Sequence, residues 1–172
     1  MWIFGYGSLM WDGWEHEHAC IQRVRATLPR FRRVFDKASV RNWGTRKYPC
    51  PTLNIADDPG GECNGLAFEF ADDNRESIRA ALAAREGRNF ELVEHEIVLA
   101  GGRRVGAFIP RYVGKNLIRD KSLAERAGLV RAAAGTDGRC ENYVQGIADK
   151  LAEMGIVDPA VQELSEAVRH QG

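Results

Sequence analysis

Two stretches of this sequence place chemically useful groups at informative spacings. The first lies near the N-terminus, where the apolar run Trp2-Ile3-Phe4 breaks into Gly5-Tyr6-Gly7-Ser8, the pattern of a strand entering a tight glycine turn. Successive backbone N–H groups in such a turn can form an anion-binding nest, with the Ser8 hydroxyl as a further donor. Two other readings fail on spacing. A dinucleotide fingerprint needs a third glycine where Met10 stands, and a nucleophile elbow needs G-x-S-x-G, whereas Gly7 directly precedes Ser8. A purely structural turn after an edge strand remains the plain alternative.

The second is Glu86. It follows Leu82 by four residues and Ile78 by eight, so a helix that packs those side chains inward turns Glu86 toward the core as well. Partial desolvation and the negative end of the helix both favour the protonated carboxyl there, which suits a general base working near neutral pH. Arg85 opposes both effects if it pairs with Glu86, and a structural ion pair at a helix end is the competing reading.

Other residues carry weaker signals. His16 and His18 alternate with Glu15 and Glu17 and would share one face of a strand, but no third metal ligand stands at a recognisable spacing. His95 falls among Val93, Ile97 and Leu99 and reads as a hydrogen-bonded core or rim residue. Tyr143, in helical phase with Ile147 and Leu151, carries a hydroxyl that needs a polar partner, within reach of a central cavity. From Arg23 to Lys47 nine cations face only Asp36, with Phe31, Phe35, Trp43 and Tyr48 interleaved. That composition suits nucleic acid or, with one or two of the cations, a small acidic ligand. Cys20, Cys50, Cys63 and Cys140 form no C-x-x-C and are expected to be free thiols.

The elements that must position these groups follow from periodicity. Ala19 to Leu28 alternates weakly, closed by Pro29, and Arg30 to Pro51 reads as a loop with strand fragments. Asp57-Asp58-Pro59-Gly60-Gly61 signals a turn, after which Leu66, Phe68 and Phe70 share one strand face. A helix is expected from Asp72–Asn74 to Glu86, with Gly87 at its C′ position. Phe90 to Leu99 and Arg104 to Val113 flank Ala100-Gly101-Gly102-Arg103 as a hairpin. Ser122 and Glu125 make a capping box before a helix over 124–134, a second helix runs from about Glu141 to Met154, and Asp158-Pro159 opens a third to His170. Strands first and helices last, joined antiparallel, predict an α+β fold.

The whole chain reads as one domain, residues 1–172. Its 24 basic residues balance 24 acidic ones and its mean hydropathy is −0.37, so neither a disordered chain nor a bulk attraction to nucleic acid or an anionic membrane is expected. No apolar run spans a bilayer and the first residues lack the pattern of a signal peptide, which predicts a cytoplasmic protein without a membrane partner.

The block Trp2-Ile3-Phe4-Gly5-Tyr6-Gly7-Ser8-Leu9-Met10-Trp11 resembles the opening of the ChaC-like branch of the γ-glutamylcyclotransferase superfamily. The similarity continues through Pro59 to Phe68, Arg85-Glu86, Gly138 to Tyr143 and Leu151 to Asp158. The resemblance implies a small, mostly antiparallel β-barrel flanked by helices, with a C-terminal helical segment. It also implies that the turn Tyr6, Gly7, Ser8, Leu9 holds a γ-glutamyl group and that Glu86 is the catalytic acid/base, while Tyr143 is a further candidate for the substrate site. Two stretches depart from the branch: Gly87-Arg88-Asn89-Phe90 keeps an aromatic ring but lacks the usual tyrosine hydroxyl, and Asp36 to Gly44 differs from the usual tryptophan-serine segment.

The implied reaction is cleavage of a γ-glutamyl peptide, glutathione first, to 5-oxoproline and the released amine (Cys-Gly). Two alternatives are a cyclotransferase for γ-glutamyl amines or amino acids, and a barrel that binds small anions without turnover. The partner expected is this small molecule rather than nucleic acid, and the intramolecular chemistry requires no cofactor or metal. Activity is therefore expected to survive chelator treatment and gel filtration. Loss of activity restored by zinc or manganese would contradict this reading.

Overall fold

The computed structural model describes residues 1–170. Its first strand, β1 (Trp2–Gly5), is buried at all four positions and is paired along its length antiparallel to β3 (Cys50–Glu69) and, at Trp2 and Ile3, parallel to β5 (Arg104–Tyr112). A strand covered in this way reads as an uninterrupted apolar run rather than an alternating one. With β2 (Gln22–Ser39) and β4 (Phe90–Leu99) these strands close a barrel in the order β1-β3-β2-β4-β5. The expected hairpin is present, β4 pairing with β5 from Phe90↔Tyr112 to Val98↔Arg104. Gly101 and Gly102 turn it at φ of +94° and +87°, a region costly for residues with a Cβ.

Two expectations about strand length need correction. β2 does not stop at Pro29 but continues to Ser39. The irregularity sits at Arg30, whose φ of +67° is left-handed, and the chain resumes extended pairing beyond it. β3 likewise runs through Asp57-Asp58-Pro59-Gly60-Gly61. The turn chemistry is present locally, since Gly60 N–H donates to Asp58 Oδ1 at 3.3 Å. This stretch is largely exposed, where a strand tolerates proline and glycine.

The chain divides into two compact units, Met1–Arg32 with Ile55–Gly114 and Arg33–Asn54 with Lys115–Gly172. In the first, α1 (Arg75–Glu86) buries Ile78 and Leu82 and ends at Gly87, whose N–H donates to the Ala83 carbonyl at 2.9 Å with φ at +78°. In the second, α2 (Leu123–Ala132) carries the expected capping box of Ser122 and Glu125. The break after it is a short ribbon of β6 (Ala134–Gly135) and β7 (Gly138–Arg139). Then α3 (Cys140–Glu153) and α4 (Pro159–His170) follow, packed through Val144, Ile147, Leu151, Val161 and Leu164, all buried.

The cysteine expectation is corrected for one pair. Cys50 and Cys140 form a disulfide with Cα atoms 5.6 Å apart, while Cys20 and Cys63 are not disulfide-bonded. A sequence separation of 90 residues leaves no local spacing for the pair to announce.

Arg33 is completely buried and donates to Asp158 Oδ2 at 2.9 Å, while Asp158 Oδ1 accepts from Val161 N–H at 3.2 Å and so caps α4. One carboxylate thus satisfies a buried cation and a helix end together. Asp158→Ala is expected to cost about 3 kcal/mol or more, because it removes a charge partner of a buried cation and the cap of α4 together. Chemical denaturation checks this, and a loss under about 1 kcal/mol, the level of a surface ion pair, would contradict it.

Candidate active site

β1 delivers the chain into a single 3₁₀ turn, Ser8–Met10. The N–H groups of Met10, Trp11 and Asp12 close it onto the carbonyls of Gly7 and Ser8 at 2.9–3.2 Å, and those of Ser8 and Leu9 take no part in that closure. Ser8 is exposed and Leu9 buried. The Tyr6 side chain is buried and its hydroxyl donates to the Pro110 carbonyl at 2.9 Å, so its ring anchors the turn and leaves main-chain groups as the available donors. Below the turn Trp14 packs on Phe68 and Phe70 at ring distances of 5.5 and 5.3 Å and donates its indole N–H to the Leu9 carbonyl at 3.1 Å.

Glu86 is the last residue of α1 and its side chain is 19% exposed. It borders a cavity of about 320 Å³ that Phe90, Leu92 and Pro110 also line. The anticipated pairing with Arg85 is present, Arg85 Nε donating to Glu86 Oε1 at 3.3 Å. The same guanidinium reaches the turn: Arg85 Nη2 donates to Ser8 Oγ at 3.1 Å and to Asp12 Oδ2. Two residues 78 positions apart in the sequence, Ser8 and Glu86, are therefore bonded to one side chain. The ion-pair reading and the functional reading of Glu86 are compatible, because the pair ties Glu86 to the glycine turn.

The ChaC-like family model matches residues 1–171. The chain belongs to the ChaC-like family. Among relatives of this ChaC-like protein, γ-glutamylcyclotransferase 2-3 of Arabidopsis thaliana is 26% identical over 183 residues, covering 99% of this chain and 89% of that protein. The glutathione-specific γ-glutamylcyclotransferase of Escherichia coli is 27% identical over 176 residues, covering 98% of this chain and 73% of that protein. A crystal structure of the γ-glutamyl cyclotransferase specific to glutathione from yeast matches with a TM-score of 0.84 over 98% of this chain and 95% of its own, at 19% identity. That likeness is one of fold, and it agrees with the barrel and helices expected.

Other sequence candidates take different places in this ChaC-like fold. Tyr143 belongs to the second compact unit, where its oxygen accepts from Leu53 N–H at 3.0 Å and its ring lies 5.4 Å from Trp43. Burial pushes its hydroxyl up to about 12, so it stays a neutral donor. His16 and His18 lie in a 3₁₀ segment, Trp14–His18, rather than on a strand. Among the described residues no group of three or more His, Cys, Asp or Glu side chains is placed to hold a metal ion. Several cations of the basic segment are already paired: Arg23 with Glu15 and the Met10 carbonyl, Arg32 with Asp58, and Arg33 with Asp158. Asp12 is the residue sequence reasoning missed, since nothing local connects it to an arginine 73 positions away.

His95 is less well satisfied than its sequence context suggests. Its ring meets Phe31 edge-on at 4.8 Å, and its Nε2 is buried without a hydrogen-bond partner. Burial, then the nearby Arg111 cation, holds it below its ordinary value of 6.5, with Asp57 opposing. Below that value an unfolded chain binds a proton that the folded one resists, so stability rises with pH up to about 6.5 and levels off above it. Wild type is expected to lose more stability than His95→Gln between pH 7.5 and 5.5. Denaturation at both pH values tests this, and parallel losses would contradict it.

Proposed function

We propose that the protein is a γ-glutamylcyclotransferase that cleaves glutathione to 5-oxoproline and Cys-Gly. The observation that carries this reading is the juxtaposition of Glu86 with the Tyr6–Leu9 turn, both bonded to Arg85 in a chain of the ChaC-like family. The substrate choice follows the names of the Escherichia coli and yeast relatives. The family match from residue 1 to residue 171 supports treating the chain as one γ-glutamylcyclotransferase-like domain.

In the proposed reaction the α-amine of the glutamyl group attacks its own γ-carbonyl carbon. A C–N bond forms to close the five-membered ring and the original amide C–N bond breaks. Because both partners belong to one molecule, holding the glutamyl chain curled supplies much of the acceleration. Backbone N–H groups of the turn, those of Ser8 and Leu9 among them, bind the α-carboxylate. Glu86 takes a proton from the α-ammonium group, freeing the attacking lone pair, and passes it to the leaving nitrogen; the second proton that the ring nitrogen sheds on becoming a lactam N–H goes to the released amine through Glu86 or solvent. The Ser8 oxygen accepts from Arg85, which leaves its hydroxyl proton to donate to the developing oxyanion. Tyr143 is kept as a further candidate for substrate binding because its hydroxyl, on the helical face of Ile147 and Leu151, is a polar group in need of a partner for its proton. The site of action proposed is the cytoplasm, where reducing conditions would oppose the Cys50–Cys140 bond.

Glu86→Gln keeps shape and removes the base, so 5-oxoproline formation from glutathione should fall by roughly 10²- to 10⁴-fold while substrate binding persists. A folded variant with near wild-type turnover would overturn the assignment. Equal turnover of glutathione and neutral γ-glutamyl amines would instead leave the chemistry intact and remove the proposed substrate preference.

A further inference from the structure

Adjacent residues on a helix point about 100° apart and do not ordinarily face each other. Arg85 and Glu86 are adjacent, yet Arg85 Nε donates to Glu86 Oε1 at 3.3 Å, so the guanidinium has turned back across the end of α1. What holds it there lies outside the helix. Its Nη2 is bonded to Asp12 Oδ2 and to Ser8 Oγ. Asp12 is itself fixed, since its other oxygen accepts from Trp14 N–H at 3.4 Å, and Trp14 is anchored on Phe68 and Phe70. A line of contacts thus runs from the barrel wall through Trp14, Asp12 and Arg85 to the carboxylate of Glu86.

We propose that Arg85, held by Asp12, is a positioning residue of the cyclisation: it sets the Glu86 carboxylate and the Ser8 hydroxyl in one fixed arrangement around the glutamyl group. The proposal rests on the reading of Glu86 as acid/base and of the Tyr6–Leu9 turn as the glutamyl site. Neither Arg85 nor Asp12 needs to touch the reacting atoms. The planar guanidinium offers donors in two directions at once, Nε toward Glu86 and Nη2 toward Ser8 and Asp12, which a single ammonium centre cannot reproduce. The two carboxylates share one cation, so removing Arg85 also leaves Asp12 and Glu86 as neighbouring like charges. Both carboxylates are partly covered, with side-chain exposures of 27% and 19%, and water compensates such a loss only in part.

Arg85 acts on geometry rather than affinity, so its loss should appear in kcat and not in KM. The test is a cycle of Asp12→Asn, Arg85→Gln and the double variant, with Arg85→Lys and Glu86→Gln alongside. Initial rates of 5-oxoproline release from glutathione and the melting temperature are measured for each. Misplacing a catalytic group by an ångström costs on the order of 100-fold, so Arg85→Gln and Asp12→Asn are each expected to lower kcat by about 10- to 100-fold while KM changes by less than about threefold. Arg85→Lys should not restore the rate. The double variant should be no slower than the slower single one, because both changes break the same link.

Folded Asp12→Asn or Arg85→Gln proteins with kcat within about twofold of wild type would overturn the proposal, as would losses that multiply in the double variant. A merely structural role would lower the melting temperature and leave kcat per folded molecule unchanged. Glu86→Gln separates the two levels of failure. If it turns over normally, the reading beneath the proposal is wrong; if it is inactive while the Asp12 and Arg85 variants are normal, only the positioning role falls.

Discussion

The pairing of β1 on both edges, with β3 on one side and β5 on the other, is the constraint on which the candidate site depends. All four residues pair with β3 and the first two, Trp2 and Ile3, with β5 as well, so the strand cannot shift register without breaking two ladders and the point at which the chain leaves the barrel is fixed at Gly5. The approach there is close: a Cβ at Gly65 would lie 2.3 Å from the Gly5 carbonyl oxygen, a contact no side chain permits. The turn that follows is then secured by two polar side chains, the Tyr6 hydroxyl on Pro110 and the Trp14 indole on Leu9. Backbone donors held in this way are pre-ordered for an anion, and a ligand need not pay again for their ordering.

The second half of the site reaches the turn through α1. Burial of Ile78 and Leu82 sets the rotation of the helix, and Gly87 ends it at Glu86. The carboxylate therefore emerges at a helix terminus, partly covered, on the border of a cavity. The proposed chemistry asks little more of a protein than this. Nucleophile and electrophile arrive in the same molecule, and what remains is to hold the chain curled, relay protons from the attacking to the leaving nitrogen and stabilise one oxyanion. The proposal assigns those tasks to the turn N–H groups, Ser8 and Glu86, with Arg85 bonded to both Ser8 and Glu86.

Much of this was legible in the sequence wherever the determining physics is local. The end of α1 at Gly87, the Ser122–Glu125 capping box, the Asp158 cap and the β4–β5 hairpin each depend on residues within a few positions of one another, and all are found where periodicity and capping place them. The glycine turn and Glu86 were recognisable for the same reason. Long-range pairing was not. β2 and β3 run through Pro29 and through Asp57 to Gly61, because barrel neighbours, not local propensity, decide where a strand ends. The Cys50–Cys140 bond and the Asp12–Arg85 contact join positions 90 and 73 residues apart, and neither leaves a motif. The resemblance to a family supplied what periodicity does not contain, namely the expectation that the turn and Glu86 serve one site.

The central claim is that the turn and Glu86 face the same glutamyl group, and a crystal structure of the protein with bound 5-oxoproline tests it most directly. The account predicts the product carboxylate on main-chain N–H groups of the Ser8–Leu9 turn and the ring nitrogen within hydrogen-bonding distance of a Glu86 oxygen, about 2.7–3.2 Å. Product bound away from the turn, or with its ring nitrogen turned from Glu86 by more than one water molecule, would contradict the account.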